Sequence, residues 1–209
     1  MAGRRLFLGH CFSVAAACIG PGKLLAAQLC QPSGLGPICS SYIPIQLLAK
    51  VYAHQQMSEW CWAACISMIF GFNEHPVSQI RIVNDAYGGV ANIPGNYPAM
   101  LGSLNREWTD DSGSDFTVSV NSLFAPELGA TSLTNAELVS ALEHEQPVLF
   151  CTLQHAMVLT SMSYIGGNVL EAWVMDPWPG RGLRRLLPAE LMPITLGGAL
   201  RMAATLDLS

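Results

Sequence analysis

Charge is scarce in this 209-residue chain: Asp, Glu, Lys and Arg make up 12% of it, with 10 basic against 15 acidic residues. A net charge of −5 supplies no basic field, so nucleic acid is not expected as a partner. Cysteines number seven, but no two are spaced C-x-x-C and no histidine stands at finger spacing, so a structural zinc site is not expected. Past the N-terminus the chain lacks any further apolar stretch of the ~20 residues that a membrane helix needs. It also lacks internal repeats and low-complexity tracts. What it does have is a 51% apolar composition, enough for one well-buried domain of ordinary size.

The first 27 residues read as an export signal. Arg4 and Arg5 precede Leu6, Phe7 and Leu8, an apolar run follows, and small residues close it at Ala26 and Ala27. The paired arginines resemble a twin-arginine signal, which implies bacterial export of a folded protein to the periplasm or beyond. Removal near Ala27 leaves no membrane segment and five cysteines, Cys30, Cys39, Cys61, Cys65 and Cys151. An odd number cannot all pair within one chain. Cys30 and Cys39 flank "QPSGLGPI", a Pro- and Gly-rich stretch within a linker expected over 28–41, and a short disulfide there suits an oxidising compartment.

The domain is expected over 42–209. Ser58 is the expected N-cap of a helix from Glu59 to Gly71, and Pro76 opens a second helix ending at Gly88. A third is expected in "PAMLGSLNREW". The period then changes. "FTVSVNSL" alternates as a strand, Thr134 and Glu137 form a capping box, and three strand-like runs follow Pro147, the last two separated by Gly166-Gly167-Asn168. Helices first and strands second is an α+β pattern.

Chemistry concentrates in "HQQMSEWCWAAC". Cys61 falls in the first turn of its helix, where the positive end of the helix dipole favours a thiolate. Cys65, one turn on among apolar neighbours, reads as a buried hydrophobe. A thiol nucleophile needs a base, a group that orients the base, and donors for the oxyanion. Gln55 and Gln56 both stand where a side-chain amide could be such a donor. His155 precedes a strand that pairs with the strand ending at Asp176, so the hairpin brings both to one end. His54 is the other candidate base, while His75 and His144 read as structural. Arg181, Arg184 and Arg185 read as a solvated face, with contact to an anionic substrate as the alternative.

"QQMSEWCWAA", "QPVLFCTLQHAMVLTSMSYIGG" and "VLEAWVMDPWPG" together resemble the small bacterial papain-like cysteine peptidases, most closely the AvrRpt-type effector proteases and the leader peptidases that process bacteriocins. The resemblance spans Gln55 to Gly180. It implies a papain-like fold, a helical lobe carrying the cysteine against a twisted antiparallel sheet carrying histidine and aspartate. It further implies Gln55 in the oxyanion hole, Cys61 as nucleophile, His155 as general base and acid, and Asp176 as its orienting carboxylate. A protein or peptide substrate follows, with no metal or organic cofactor. The same thiol chemistry could serve acyl transfer, and a catalytically inactive papain-fold binding module is the reading from another class. Trp62 and Trp178 are expected either to shield the site or to fill the core.

Overall fold

In a computed structural model the structure describes residues 27–209. The expected export signal therefore lies outside the described residues, apart from Ala27, which opens the first strand. The chain is α+β. It runs β1 (Ala27–Gln31), β2 (Ile38–Tyr42), α1 (Ile45–Leu48), α2 (Cys61–Phe72), α3 (Gln79–Tyr87), α4 (Tyr97–Ser103), β3 (Arg106–Thr109), β4 (Asp115–Ala125), β5 (Ala130–Thr131) and α5 (Asn135–Glu143). It continues through β6 (Val148–Thr152), β7 (Ala156–Ile165), β8 (Asn168–Asp176), β9 (Gly182–Arg185), α6 (Pro188–Leu191) and β10 (Leu200–Leu208).

All strand pairs are antiparallel, in the order β1-β2-β7-β6-β10-β4-β3, with β8 on the other edge of β7 and β9 beyond it. The β7–β8 turn needs two consecutive residues with positive φ, and Gly166 (53°) and Gly167 (84°) supply them. Because Val158 pairs with Met175, the residue before β7 and the last residue of β8 meet at one end of the hairpin.

Helix α2 is buried on nearly every side: Trp62 through Ile66, and Met68 through Phe70, all lie in the core. A helix apolar all round belongs inside a protein, and α2 packs on β6 and β7 with α3 against it. The loop before α4 is laced to its first turn, Trp60 Nε1 donating to the Ala91 carbonyl at 2.9 Å and Trp62 Nε1 to that of Ile93 at 3.3 Å. Gly95 lies flat on the Trp62 ring, where a β-carbon would come within 2.5 Å of Cγ. Gly95→Ala should therefore overpack this contact and lower stability by about 1–3 kcal/mol, measurable as a fall in the chemical-denaturation midpoint. An unchanged midpoint would show that the loop yields freely.

Three expectations are corrected, and one strand had no expectation. The segment 28–41 is a hairpin rather than a linker: β1 pairs with β2, β2 pairs with β7, and Cys30 and Cys39 stand directly opposite each other and are disulfide-bonded. Its Pro and Gly residues mark the turn. Ser58 is not the N-cap of α2; its hydroxyl accepts from Asn92 Nδ2, and the helix opens at Cys61 behind Trp60 without a side-chain cap. Arg106–Thr109 is a strand and not the end of the third helix, which stops at Ser103 where Asn105 Nδ2 donates to the Leu101 carbonyl. Finally, the C-terminal β10 lies between β6 and β4. It is covered on both faces from Met202 to Thr205, so it shows none of the alternation that marks a half-buried strand. The Thr134–Glu137 capping box forms as expected, with reciprocal bonds of 2.6 and 3.3 Å.

Candidate active site

The site lies where the first turn of α2 meets the open end of the β7–β8 hairpin. Cys61 is the first residue of α2 and half-buried. The N–H groups of a helix's first turn have no intrahelical partner, so the backbone at Cys61 is a set of free donors. A further backbone donor, Ala156 N–H, points at Cys61 Sγ from 3.4 Å. His155 occupies the tight turn between β6 and β7, its carbonyl accepting from both the Thr152 amide (2.8 Å) and hydroxyl (3.1 Å). The ring lies between two partners. Nε2 is 2.6 Å from Asp176 Oδ1, and the Cys61 sulfur, contacted by the amide of the next residue, is the other group that favours the ring's proton.

Asp176 is fully buried. An ionised carboxylate only accepts, and here both oxygens are occupied. Oδ1 takes the His155 ring and the Trp178 amide at 2.9 Å; Oδ2 takes Arg184 Nε at 2.7 Å, with the exposed Arg181 at 3.5 Å. Burial opposes its charge. The bonds from His155, Arg184 and Trp178 outweigh burial and hold the carboxyl well below its usual range. Burial likewise opposes charge on His155, but the hydrogen bonds to Asp176 and Cys61 prevail and raise the imidazole to about 9. At neutral pH the ring is therefore an imidazolium. Burial pushes the Cys65 and Cys151 thiols up, so both stay protonated.

The two glutamines separate by burial: Gln55 is buried and Gln56 exposed. Gln55 Nε2 donates to the Met57 carbonyl at 2.9 Å and the Ser58 carbonyl at 2.7 Å, while its buried Oε1 has no partner. Exchanging amide oxygen and nitrogen would set an oxygen against two carbonyls, so this orientation is fixed. Its amide thus shapes the turn leading into Cys61, and donation to an oxyanion would require one of these N–H groups to be shared. The backbone around it is clamped. Gln55 N–H donates to the Pro177 carbonyl at 2.9 Å, and buried Gln79 bridges the His54 carbonyl (2.8 Å) and the Gln56 amide (3.0 Å).

The structure brings Cys61, His155 and Asp176 together, and it keeps His54, His75 and His144 out of that cluster. His54 is exposed and bonds Tyr52, whose hydroxyl donates to the Asp176 carbonyl at 3.1 Å, so it stands at the margin. His75 pairs with Asp110 and stacks on Phe116, and His144 bonds the Ser140 carbonyl at the end of α5. Trp62 belongs to the core, while Trp178 is 42% exposed and meets the His155 ring edge-on at 6.2 Å. The expected solvated arginine face divides: Arg184 is a partner of Asp176 and of Glu190, while Arg181 and Arg185 stay exposed. Gln79 and Glu190 have no signal in the sequence, since each reads as an ordinary polar residue, and Arg184 stands out there only as part of a charged group.

The family model of the Peptidase_C39 like family matches residues 48–187, a span that holds the whole cluster from Gln55 to Arg184. No match is found among curated proteins.

Proposed function

The chain belongs to the Peptidase_C39 like family, a papain-like cysteine peptidase family, and on that premise we propose that Cys61, His155 and Asp176 form its catalytic triad, acting on a peptide or isopeptide bond. The observation that carries the reading is an imidazole ring 2.6 Å from a buried carboxylate, with the amide of the next residue 3.4 Å from a thiol at a helix start. The Cys61 sulfur, having given its proton to His155, attacks the scissile carbonyl carbon and drives its π electrons onto oxygen. The oxyanion is received by the backbone N–H of Cys61 and by the Gln55 amide. Collapse breaks the C–N bond, and His155 passes its proton to the departing amine, leaving a thioester. The now neutral ring removes a proton from water, whose oxygen attacks the thioester and expels the thiolate. Asp176 stays ionised throughout and keeps Nε2 protonated.

Profiling the N-termini of a bacterial lysate treated with the wild-type protein or with Cys61→Ala tests this. New N-termini should appear with the wild type alone; the same set from Cys61→Ala would overturn the assignment. Gln55→Ala is expected to reduce kcat roughly 10²–10³-fold, the cost of one oxyanion donor, and Gln56→Ala less than about twofold. Equal losses at both positions would remove the oxyanion role from Gln55.

Export of the protein is also proposed. The leader supports it, as does a Cys30–Cys39 disulfide that a reducing cytosol would not maintain. Intact-mass analysis of exported material should give a chain beginning near Gln28, and a product retaining Met1 would reject cleavage.

A further inference from the structure

Hydrogen bonds run from His155 to Asp176 and continue past the reacting residues to Arg184 and Glu190. Asp176 Oδ2 is buried, and its close donor is Arg184 Nε at 2.7 Å. The remaining nitrogens of the same guanidinium form a two-pronged pair with Glu190, Nη1 to Oε2 at 2.9 Å and Nη2 to Oε1 at 2.8 Å. Glu190 is itself fixed, Oε2 accepting from the Leu187 amide at 2.7 Å at the start of α6. A planar guanidinium held by two prongs cannot turn, so its third N–H is aimed. Without it, Oδ2 would keep only the long contact from exposed Arg181. A buried carboxylate left short of donors must rotate, which takes Oδ1 off the imidazole, or take a proton, which removes the charge that faces it.

We propose that Arg184, braced by Glu190, is a positioning residue of this peptidase: it fixes the Asp176 carboxylate so that Oδ1 faces His155, and it influences Cys61 through Asp176 alone. The inference rests on the triad reading above. Lysine could supply the charge but not the fork, because an ammonium cannot engage Glu190 on two nitrogens while aiming a third at Asp176.

The test is the rate at which iodoacetamide alkylates Cys61 in the folded exported protein, followed by peptide mapping, because it requires no substrate. Arg184→Gln should slow alkylation at pH 6 about tenfold, and Arg184→Lys should restore only part of the loss. The loss should vanish near pH 9.5, where thiols ionise without help from an imidazolium; general damage to the fold would persist there. In an Asp176→Asn background Arg184→Gln should cost less than about a further twofold. Arg185→Gln, an exposed neighbour, should match the wild type. If Arg184→Gln fails to fold, Glu190→Gln, which keeps the side-chain shape but loosens the brace, should give about a threefold loss with the same dependence on Asp176.

A wild-type rate in the folded variants, or losses that multiply with Asp176→Asn, would overturn the inference. His155→Ala separates the two levels. Should it leave alkylation at pH 6 unchanged, the triad itself fails; should it slow alkylation while the arginine losses multiply, the triad stands and the positioning role fails.

Discussion

Replacing His155 with alanine is expected to lower turnover by at least about 10³-fold and to remove the selectivity with which Cys61 reacts. The chain has three free cysteines among its described residues, and they differ in placement. Cys61 opens α2, is partly accessible, receives the Ala156 amide at its sulfur, and favours the proton on His155. Cys65 and Cys151 are buried, and burial above all keeps them as thiols. At mildly acidic pH iodoacetamide should thus label Cys61 far faster than either. With His155 gone, the positive partner of the sulfur goes too, and Cys61 should approach the slow pair. The base for the acylation step and the acid for amine departure vanish in the same substitution, which is why its cost exceeds that of a single oxyanion donor. Retained turnover in His155→Ala, together with its loss in His54→Ala, would transfer the role to the histidine at the margin. Preferential labelling of Cys65 would identify a different nucleophile.

Local chemistry explains why the cluster could be read from the chain and its support could not. Each of Cys61, His155 and Asp176 sits at the end of an element whose type is written nearby: an apolar helix, and a hairpin with its Gly166-Gly167 turn. Antiparallel pairing then fixes that His155 and Asp176 share an end. The supporting shell depends on packing. Gln79 follows Ser78 at the start of α3, where a polar residue is ordinary, and it clamps the Gln55 backbone only because α3 folds against α2. Arg184 alternates with exposed neighbours on β9, and Glu190 looks like a first-turn acid of a short helix; their pairing depends on where α6 returns. Strand β10 failed to declare itself for the opposite reason, since a strand buried on both faces loses its alternation.

Converting Asp176 to asparagine isolates what the carboxylate's charge contributes, because an amide oxygen can still accept from His155 Nε2 while the negative charge is gone. Burial is the largest influence on the imidazole and it opposes the proton; the bond to Asp176 is the leading influence that restores it. Remove the charge, and burial is countered by the Cys61 bond without the carboxylate's help. The imidazole should fall from about 9 toward the ordinary value of about 6.5. The sign of the consequence follows from the chemistry. His155 must carry a proton when the amine departs, so the wild type should keep its rate up to an alkaline limb near 9. In Asp176→Asn the limb should move to lower pH, leaving partial activity at pH 6 and a much larger deficit at pH 8. Alkylation of Cys61 across the same range gives a second measure free of substrate binding, and its enhancement at low pH should shrink in parallel. An alkaline limb that stays near 9 in the variant would mean that Asp176 orients the ring without holding its charge.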